Sequence, residues 1–310
     1  MLVSIIVTTY NIELFVREAV ESALESDAEE VVVVDDGSTD GTVSILREIA
    51  ASDQRVRVLQ QKNRGSSSAR NAGAREARGK YILFLDGDDR LIPGAILKLS
   101  CTLDATHSAV CSYGQWRAIN ENGELMPPNM KLTSHYNGFV LKHILKKGFL
   151  IPGCVLMRRD AFFSAGGFDE SIEFAEDWEF FCRLSLEGDF VAIPDCSFAY
   201  RLRKNSKSSA SNKDRVVNLL ATIEGMFANP KLQEHFSIGE LTRLKKESRA
   251  CALLGLSTRD FWEGHLDQSL IFALRAAKEY PPLLPRVIGR LGFNVWLLYI
   301  GRKQQLSVAR

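Results

Sequence analysis

Tyr81-Ile82-Leu83-Phe84-Leu85-Asp86-Gly87-Asp88-Asp89 is a short apolar run that ends in three carboxylates. An apolar run of this length bounded by turn residues reads as a buried strand. Upstream the same grammar repeats. Leu2–Thr9 is β-branched and apolar and stops at Thr8-Thr9-Tyr10. Glu30–Val34 stops at Asp35-Asp36-Gly37-Ser38, and Val56–Leu59 is a third run. Between them lie helical patterns at Ile12–Leu24, from Thr39 or Asp40 to Ile49, and at Ser66–Ala77. Strands alternating with helices at this spacing imply right-handed βαβ units and a mainly parallel sheet. Ligands bind outside the carboxyl ends of such strands. The clusters at Thr8–Tyr10, Asp35-Asp36 and Asp86–Asp89 are therefore expected on one edge.

Downstream the pattern loosens. His107–Trp116 reads as a strand, Asn120–Pro128 as a turn-rich loop and Phe139–Lys147 as a helix. Val155–Met157 reads as a brief strand, followed by a helix from Ala175 to Leu186 and strands at Phe190–Ile193 and Ser197–Leu202. Beyond Ser211 only helical periodicities occur, which divides the chain into an α/β domain over residues 1–210 and a helical region over 211–310. Lys204–Lys213 reads as a polar connector.

The chain has 310 residues, 45% hydrophobic and 25% charged, with a formal net charge of +1. That balance gives no reason to expect a nucleic-acid partner. Six cysteines are scattered without a C-x-x-C pair, which argues against a zinc knuckle or a redox motif. The N-terminus lacks a basic leader, and no segment reaches the ~20 apolar residues of a membrane span, so a cytoplasmic location is expected.

Several carboxylates on one turn repel unless a cation lies among them, and hard oxygen donors suit Mg²⁺ or Mn²⁺. The alternative for Asp86–Asp89 is a solvated acidic turn. A carboxylate of Asp35-Asp36 can accept from a base N–H or a ribose hydroxyl, whereas Asp40 can serve as a helix cap. Asn63 to Gly73 opens a helix with small residues and carries Arg64 and Arg70, a combination that favours anions. Surface arginines on a capped helix are the plainer account. It is neither a G-x-x-x-x-G-K-[ST] loop nor a G-x-G-x-x-G turn. Glu173 to Glu179 places carboxylates at a helix start, where one can act as general base or all can simply answer the helix dipole. Arg201, Arg203, Lys204 and Lys207 can close over a diphosphate or form a solvated linker.

Taken in order, these segments resemble glycosyltransferase family 2, the GT-A-fold nucleotide-sugar transferases. The likeness rests on Ser4–Asn11, Val34–Asp40, Arg64-Gly65 through Arg70-Asn71, Ala77–Tyr81, Phe84–Asp89, Gly166-Gly167-Phe168-Asp169-Glu170 and Glu176-Asp177-Trp178-Glu179. The resemblance implies that Thr8, Tyr10, Asp36, Arg70 and Asp86 hold the nucleotide. It also implies that Asp88 ligates Mn²⁺ or Mg²⁺ and that Asp177 is the catalytic base of an inverting transfer. Many members carry a histidine where this chain has Arg203, and arginine neutralises phosphate but does not ligate metal. Weaker dependence on a protein-held metal is expected, with Arg201 and Arg203 closing over the diphosphate. No Gln-x-x-Arg-Trp occurs, so single-sugar transfer is expected, from a nucleotide-diphosphate donor (UDP-sugar favoured) to a glycan or lipid-linked saccharide of bacterial surface polysaccharide. A nucleotidyltransferase and an inactive sugar-nucleotide-binding module are the competing readings. From Pro281 onward five basic and no acidic residues interleave with apolar and aromatic ones, a pattern open to two readings: a terminal helix packed on its own domain, or peripheral contact with the inner face of a membrane.

Overall fold

The computed structural model describes residues 3–26, 28–126, 135–203, 212–262 and 264–289. They fall into two compact units: Met1–Ile144 with Gly148–Ala210, and Leu145–Lys147 with Ser211–Arg310.

The first unit is built on an eight-stranded sheet: β1 (Val3–Thr9), β2 (Glu30–Asp35), β3 (Val56–Gln60), β4 (Tyr81–Asp86), β5 (Arg90–Leu91), β6 (Ala109–Ile119), β7 (Val155–Arg158) and β8 (Asp189–Arg201). Their order is β3-β2-β1-β4-β7-β6-β8-β5. The half from β3 to β4 is parallel, as the alternating pattern implies. Every residue of β1 and β2 is buried, which is why both read as continuous apolar runs. Beyond β4 the sheet is mixed: β7 is antiparallel to β4 and β6, while β8 runs parallel to β6 and antiparallel to β5.

The helices of this unit are α1 (Val16–Leu24), α2 (Thr42–Ser52), α3 (Ser66–Glu76), α4 (Ala95–Ala105), α5 (Leu141–Lys146, whose last two residues fall in the second unit), α6 (Arg159–Ser164) and α7 (Glu176–Leu184). Three differ from the sequence expectation in a way that matters. α1 begins at Val16 instead of Ile12, because residues 11–13 are drawn into the loop that follows β2: Ile12 N–H donates to Thr42 Oγ1 at 3.0 Å and Glu13 N–H to Asp40 Oδ2 at 3.1 Å. α4 and α6 were not expected at all. The two strands expected at Phe190–Ile193 and Ser197–Leu202 are one strand, β8. Its pairing with β6 slips around Pro194, between Tyr113–Ala192 and Gln115–Cys196. Proline has no ladder N–H, and such residues sit at bulges.

The second unit contains α8 (Asn212–Phe227), α9 (Ile238–Trp262) and α10 (Leu266–Glu279). Ser257 and Ser269 exchange hydroxyl-to-carbonyl bonds of 2.7 Å each, which brings α9 and α10 close along a small-residue seam. Arg249 on α9 donates to Glu224 of α8 at 2.6 Å and to Glu279 of α10 at 2.7 Å. No described helix is long and apolar enough to cross a membrane. The segment 290–310 and the connector residues 204–211 lie outside the described residues.

Gly73 of α3 shows how tightly helix and sheet meet. A Cβ there would lie 2.3 Å from Ile6 Cγ2 and 3.1 Å from Val34 Cγ2, both on buried strands. Gly225 of α8 has nothing within 4 Å of the same position. The same Gly→Ala change therefore has opposite expected signs. Gly225→Ala should stabilise by about 0.5–1 kcal/mol through helix propensity alone. Gly73→Ala should destabilise by about 1–2 kcal/mol, since overpacking outweighs propensity. Denaturant melts of the two variants would test this, and a stabilised Gly73→Ala would refute the close packing.

Candidate active site

The register of the parallel half puts three strand ends level. Thr9 pairs with Asp35 across β1 and β2, and Thr8 with Asp86 across β1 and β4. The chain then splays. Asp36 N–H donates to Thr9 O at 2.8 Å and Gly87 N–H to Thr8 O at 2.9 Å. A Cβ on Gly87 would lie 2.5 Å from Ile12 Cδ1 and 2.9 Å from Thr9 Cγ2, so the residue between Asp86 and Asp88 has to be small.

Asp36 is 5% exposed, and its carboxylate organises the next loop. It accepts from Gln61 Nε2 at 2.7 Å, Arg64 N–H at 2.9 Å and Gly65 N–H at 2.8 Å. Tyr10, by contrast, is 48% exposed on the bend after β1. Asn11, in the left-handed region at φ 48°, accepts from Thr39 N–H at 2.7 Å and thereby joins the bend to the Asp36–Asp40 loop. Gly37 at φ 83° turns that loop back toward Asn63, whose N would be 3.0 Å from a Cβ.

Arg70 of α3 is 4% exposed and bridges the sheet to α7. Its guanidinium donates to Asp86 Oδ1 at 2.9 Å and Glu176 Oε1 at 3.1 Å, and lies 5.2 Å over the Phe168 ring. Burial pulls its pKa down, but Asp86, Glu176 and Asp177 outweigh burial and hold it above the usual arginine range. Its Nε is buried without a hydrogen-bond partner. Asp86 also accepts from Thr8 Oγ1 at 3.1 Å. The Gly166–Glu170 loop is fixed to α3 by a reciprocal pair: Asn71 Nδ2 donates to Phe168 O at 2.8 Å and Phe168 N–H to Asn71 Oδ1 at 2.9 Å.

α7 starts at Glu176 after Ala175, whose φ of 62° is unusual for a residue with a Cβ. Asp177 is partly buried, and its Oδ1 accepts from Trp178 N–H at 2.7 Å. Burial first, then Glu176 and Asp86, push its carboxyl up to about 7, against the opposing pull of Arg70 and that N–H. A group poised there can take a proton near neutrality.

The other end of the site is held from β8. Arg201, 2% exposed, donates from Nε to Asp88 O at 2.7 Å and from Nη1 to Asn120 O and Glu121 O at 3.1 and 3.0 Å. Its Nη2 pairs with Glu18 of α1. Its backbone N–H donates to Asp89 Oδ1 at 2.7 Å. The guanidinium therefore anchors the Asp86–Asp89 turn, and all three of its nitrogens have protein acceptors. Arg203 instead reaches the carboxylate of Asp88, with Nη2 at 2.5 Å from Oδ2. Burial and Asp86 raise the carboxyl of Asp88, and Arg203 draws it back down. Asp89 is raised further, by burial and then by Asp88 and Asp86.

Thr8, Arg70, Asp86, Glu176 and Asp177 are thus in one connected group, with Asp88 and Arg203 adjoining it through the Asp86–Asp89 turn. Asp36 lies beside them, bonded to its own loop. Sequence reasoning missed Glu176 as a partner of Arg70 and Glu18 as a partner of Arg201. The acidic start of α7 was a usable signal for the first, whereas nothing local marks Glu18. Asp86 and Asp88 offer only oxygen donors, and among the described residues no group of three His, Cys, Asp or Glu could hold a metal ion. A divalent ion held by these two carboxylates would have to take the rest of its coordination shell from phosphate oxygens and water.

The chain is 35% identical over 214 residues to the uncharacterized glycosyltransferase EpsJ of Bacillus subtilis (strain 168), covering 66% of this chain and 62% of that protein. It is 35% identical over 195 residues to a chondroitin synthase of Escherichia coli, covering 62% of this chain and 28% of that one. It thus spans less than two thirds of the length of either relative. Among solved structures, S. aureus TarS 1–349 in complex with UDP-GlcNAc superposes with a TM-score of 0.67 at 23% identity, over 93% of this chain and 83% of that one. That likeness shows the GT-A fold. The model of Glycosyl transferase family 2 matches residues 4–163, a little over half of the chain, and the chain belongs to that family.

Proposed function

We propose that the protein is an inverting, non-processive glycosyltransferase that moves one sugar from a nucleotide-diphosphate donor, UDP-sugar favoured, to a saccharide acceptor of surface-polysaccharide assembly. The observation that carries this reading is the buried Arg70 clamp. It ties Asp86, at the donor end, to Glu176, whose neighbour Asp177 carries a carboxyl raised to about 7.

Thr8, Tyr10 and Asp36 face the nucleoside in this reading, with Arg70 and Asp86 at the inner edge. Asp177 accepts the proton of the acceptor hydroxyl as its oxygen attacks the anomeric carbon. The bond from that carbon to the diphosphate breaks, and its electron pair leaves with the nucleoside diphosphate. Asp88, with Asp86 beside it, would hold a divalent metal that neutralises the departing charge. Arg203 supplies a guanidinium on the same side, and Arg201 enters as the anchor of the turn. A nucleotidyltransferase acting on a sugar phosphate attacks with an oxygen that is already ionised and needs no base, so the raised carboxyl of Asp177 favours sugar transfer over that reaction.

Peripheral contact with an anionic membrane surface is part of the proposal. Exposed Leu266, Leu270, Ile271 and Leu274 line one side of α10, followed by exposed Leu284 and Ile288 and the exposed cations Arg275, Lys278 and Arg286. An apolar face with cations beside it suits a lipid interface, which would give access to a lipid-linked acceptor.

UDP, or else GDP or dTDP, should raise the melting temperature, more so with Mn²⁺, and Asp88→Ala should remove the metal's share. No stabilisation by any of the three would refute the donor reading. Asp177→Asn should lower kcat by about 10²–10⁴-fold with donor binding retained. The wild-type rate should climb as pH rises through about 7, because only the ionised carboxylate accepts a proton. The folded carboxyl lies above its unfolded value of 3.8, so ionising it destabilises the fold increasingly from pH 4 to 7 and fully above. Asp177→Asn should accordingly be more stable than wild type at pH 8 and equal to it near pH 4. Wild type should float with phosphatidylglycerol vesicles, and Leu270→Glu/Leu274→Glu should not; flotation of neither would remove the membrane contact.

A further inference from the structure

Arg203 is held unusually well for a residue two positions past the end of a strand. The chain before it is pinned at Arg201, by N–H to Asp89 and Nε to Asp88 O, and at Leu202, whose N–H donates to Ile119 O at 2.9 Å. Both guanidinium groups lie over the same ring, that of Phe15, at 5.0 Å for Arg201 and 5.5 Å for Arg203. The Arg203 and Asp88 side chains are 20% and 17% exposed, so their charge-assisted contact is largely sheltered from water. Yet the site leaves Arg203 incompletely satisfied, because its Nε is buried with no hydrogen-bond partner. Arg201 uses its donors on main-chain carbonyls and Glu18, whereas Arg203 is committed to a side chain that can let go.

We infer that Arg203 is the resident counter-cation of Asp88, and that it hands the carboxylate over to a divalent metal only when a nucleoside diphosphate offers its guanidinium a replacement. The inference rests on the reading of Asp88 as the metal ligand. A guanidinium and a divalent ion compete for the same carboxylate, so Arg203 opposes metal binding in the absence of nucleotide. Phosphate oxygens match the planar fork as well as a carboxylate does, and they also satisfy donors that Asp88 leaves over. Diphosphate binding then frees Asp88, and metal and nucleotide each promote the other's binding, with the same factor in both directions. An arginine here would therefore confer diphosphate affinity without metal while making metal uptake conditional on the donor.

The test is equilibrium binding, with no turnover involved. Mn²⁺ binding is followed through the electron paramagnetic resonance signal of the free ion, and UDP binding (GDP and dTDP in parallel) by calorimetry with and without Mn²⁺. For Arg203→Gln, Mn²⁺ alone is expected to bind about tenfold tighter than to wild type, and the diphosphate alone about tenfold weaker, so the mutual enhancement shrinks. Arg203→Lys keeps a positive charge and is expected to exclude Mn²⁺ nearly as wild type does. Equal Mn²⁺ affinity in wild type and Arg203→Gln, with metal-assisted diphosphate binding intact in wild type, overturns this inference and leaves the proposed function standing. Lysine and glutamine variants that take up Mn²⁺ equally well also overturn it. Failure of wild type to bind any diphosphate, with or without Mn²⁺, overturns both.

Discussion

The arrangement of the first unit turns on one buried cation. Arg70 emerges from a helix opened by small residues and lies between the end of β4 and the start of α7, with its ring contact to Phe168 beneath. Without a charge there, Asp86, Glu176 and Asp177 would face one another across a poorly solvated gap. Removing one member of a buried ion pair typically costs about 3–5 kcal/mol, far more than such a pair adds relative to an apolar replacement. The clamp is therefore better understood as a device for geometry. It fixes the distance between a strand end and a helix start that the chain reaches about ninety residues apart. The aromatic group of Phe84, Phe162, Phe168 and Phe180 fills the space below it and keeps α7 from sliding along the sheet.

The same logic explains what the sequence disclosed. Parallel strands covered on both faces must be apolar throughout, so β1, β2 and β4 announce themselves, and their polar ends mark the ligand edge without any coordinates. Asp86–Asp89 and Glu176-Asp177 were legible for a related reason: carboxylates clustered at element ends are expensive to keep and need a purpose. What escaped notice depends on partners distant in sequence. The first turn expected of α1 was lost because Ile12 and Glu13 bond to Thr42 and Asp40 across the neighbouring loop. The single strand β8 was split in two by Pro194, since a local reading cannot know that β6 accommodates the missing ladder bond with a register slip. The roles of Glu18 and Arg201 could be found only by bringing residues 18, 88, 120 and 201 together.

The acidic groups of the candidate site divide by what holds them. Asp36 receives main-chain N–H groups from Arg64 and Gly65, and Asp89 receives one from Arg201. Releasing those bonds would mean rebuilding loops, so these carboxylates keep their places whether or not a ligand is bound. Asp86 and Asp88 are instead held by guanidinium and hydroxyl groups of Arg70, Thr8 and Arg203. Side chains can rotate away, at a cost of rotamer entropy and a charge-assisted bond, and a polyanionic ligand with its own counter-ion returns both. Among the described residues, six carboxylates (Glu18, Asp86, Asp88, Asp89, Glu176 and Asp177) meet four guanidinium groups (Arg70, Arg90, Arg201 and Arg203), which leaves a local deficit of positive charge. Burial first, and that deficit after it, raise the carboxyls of Asp88, Asp89 and Asp177. Its relief by an incoming cation would lower all three together, so on the function proposed above donor binding would also set the ionisation of Asp177.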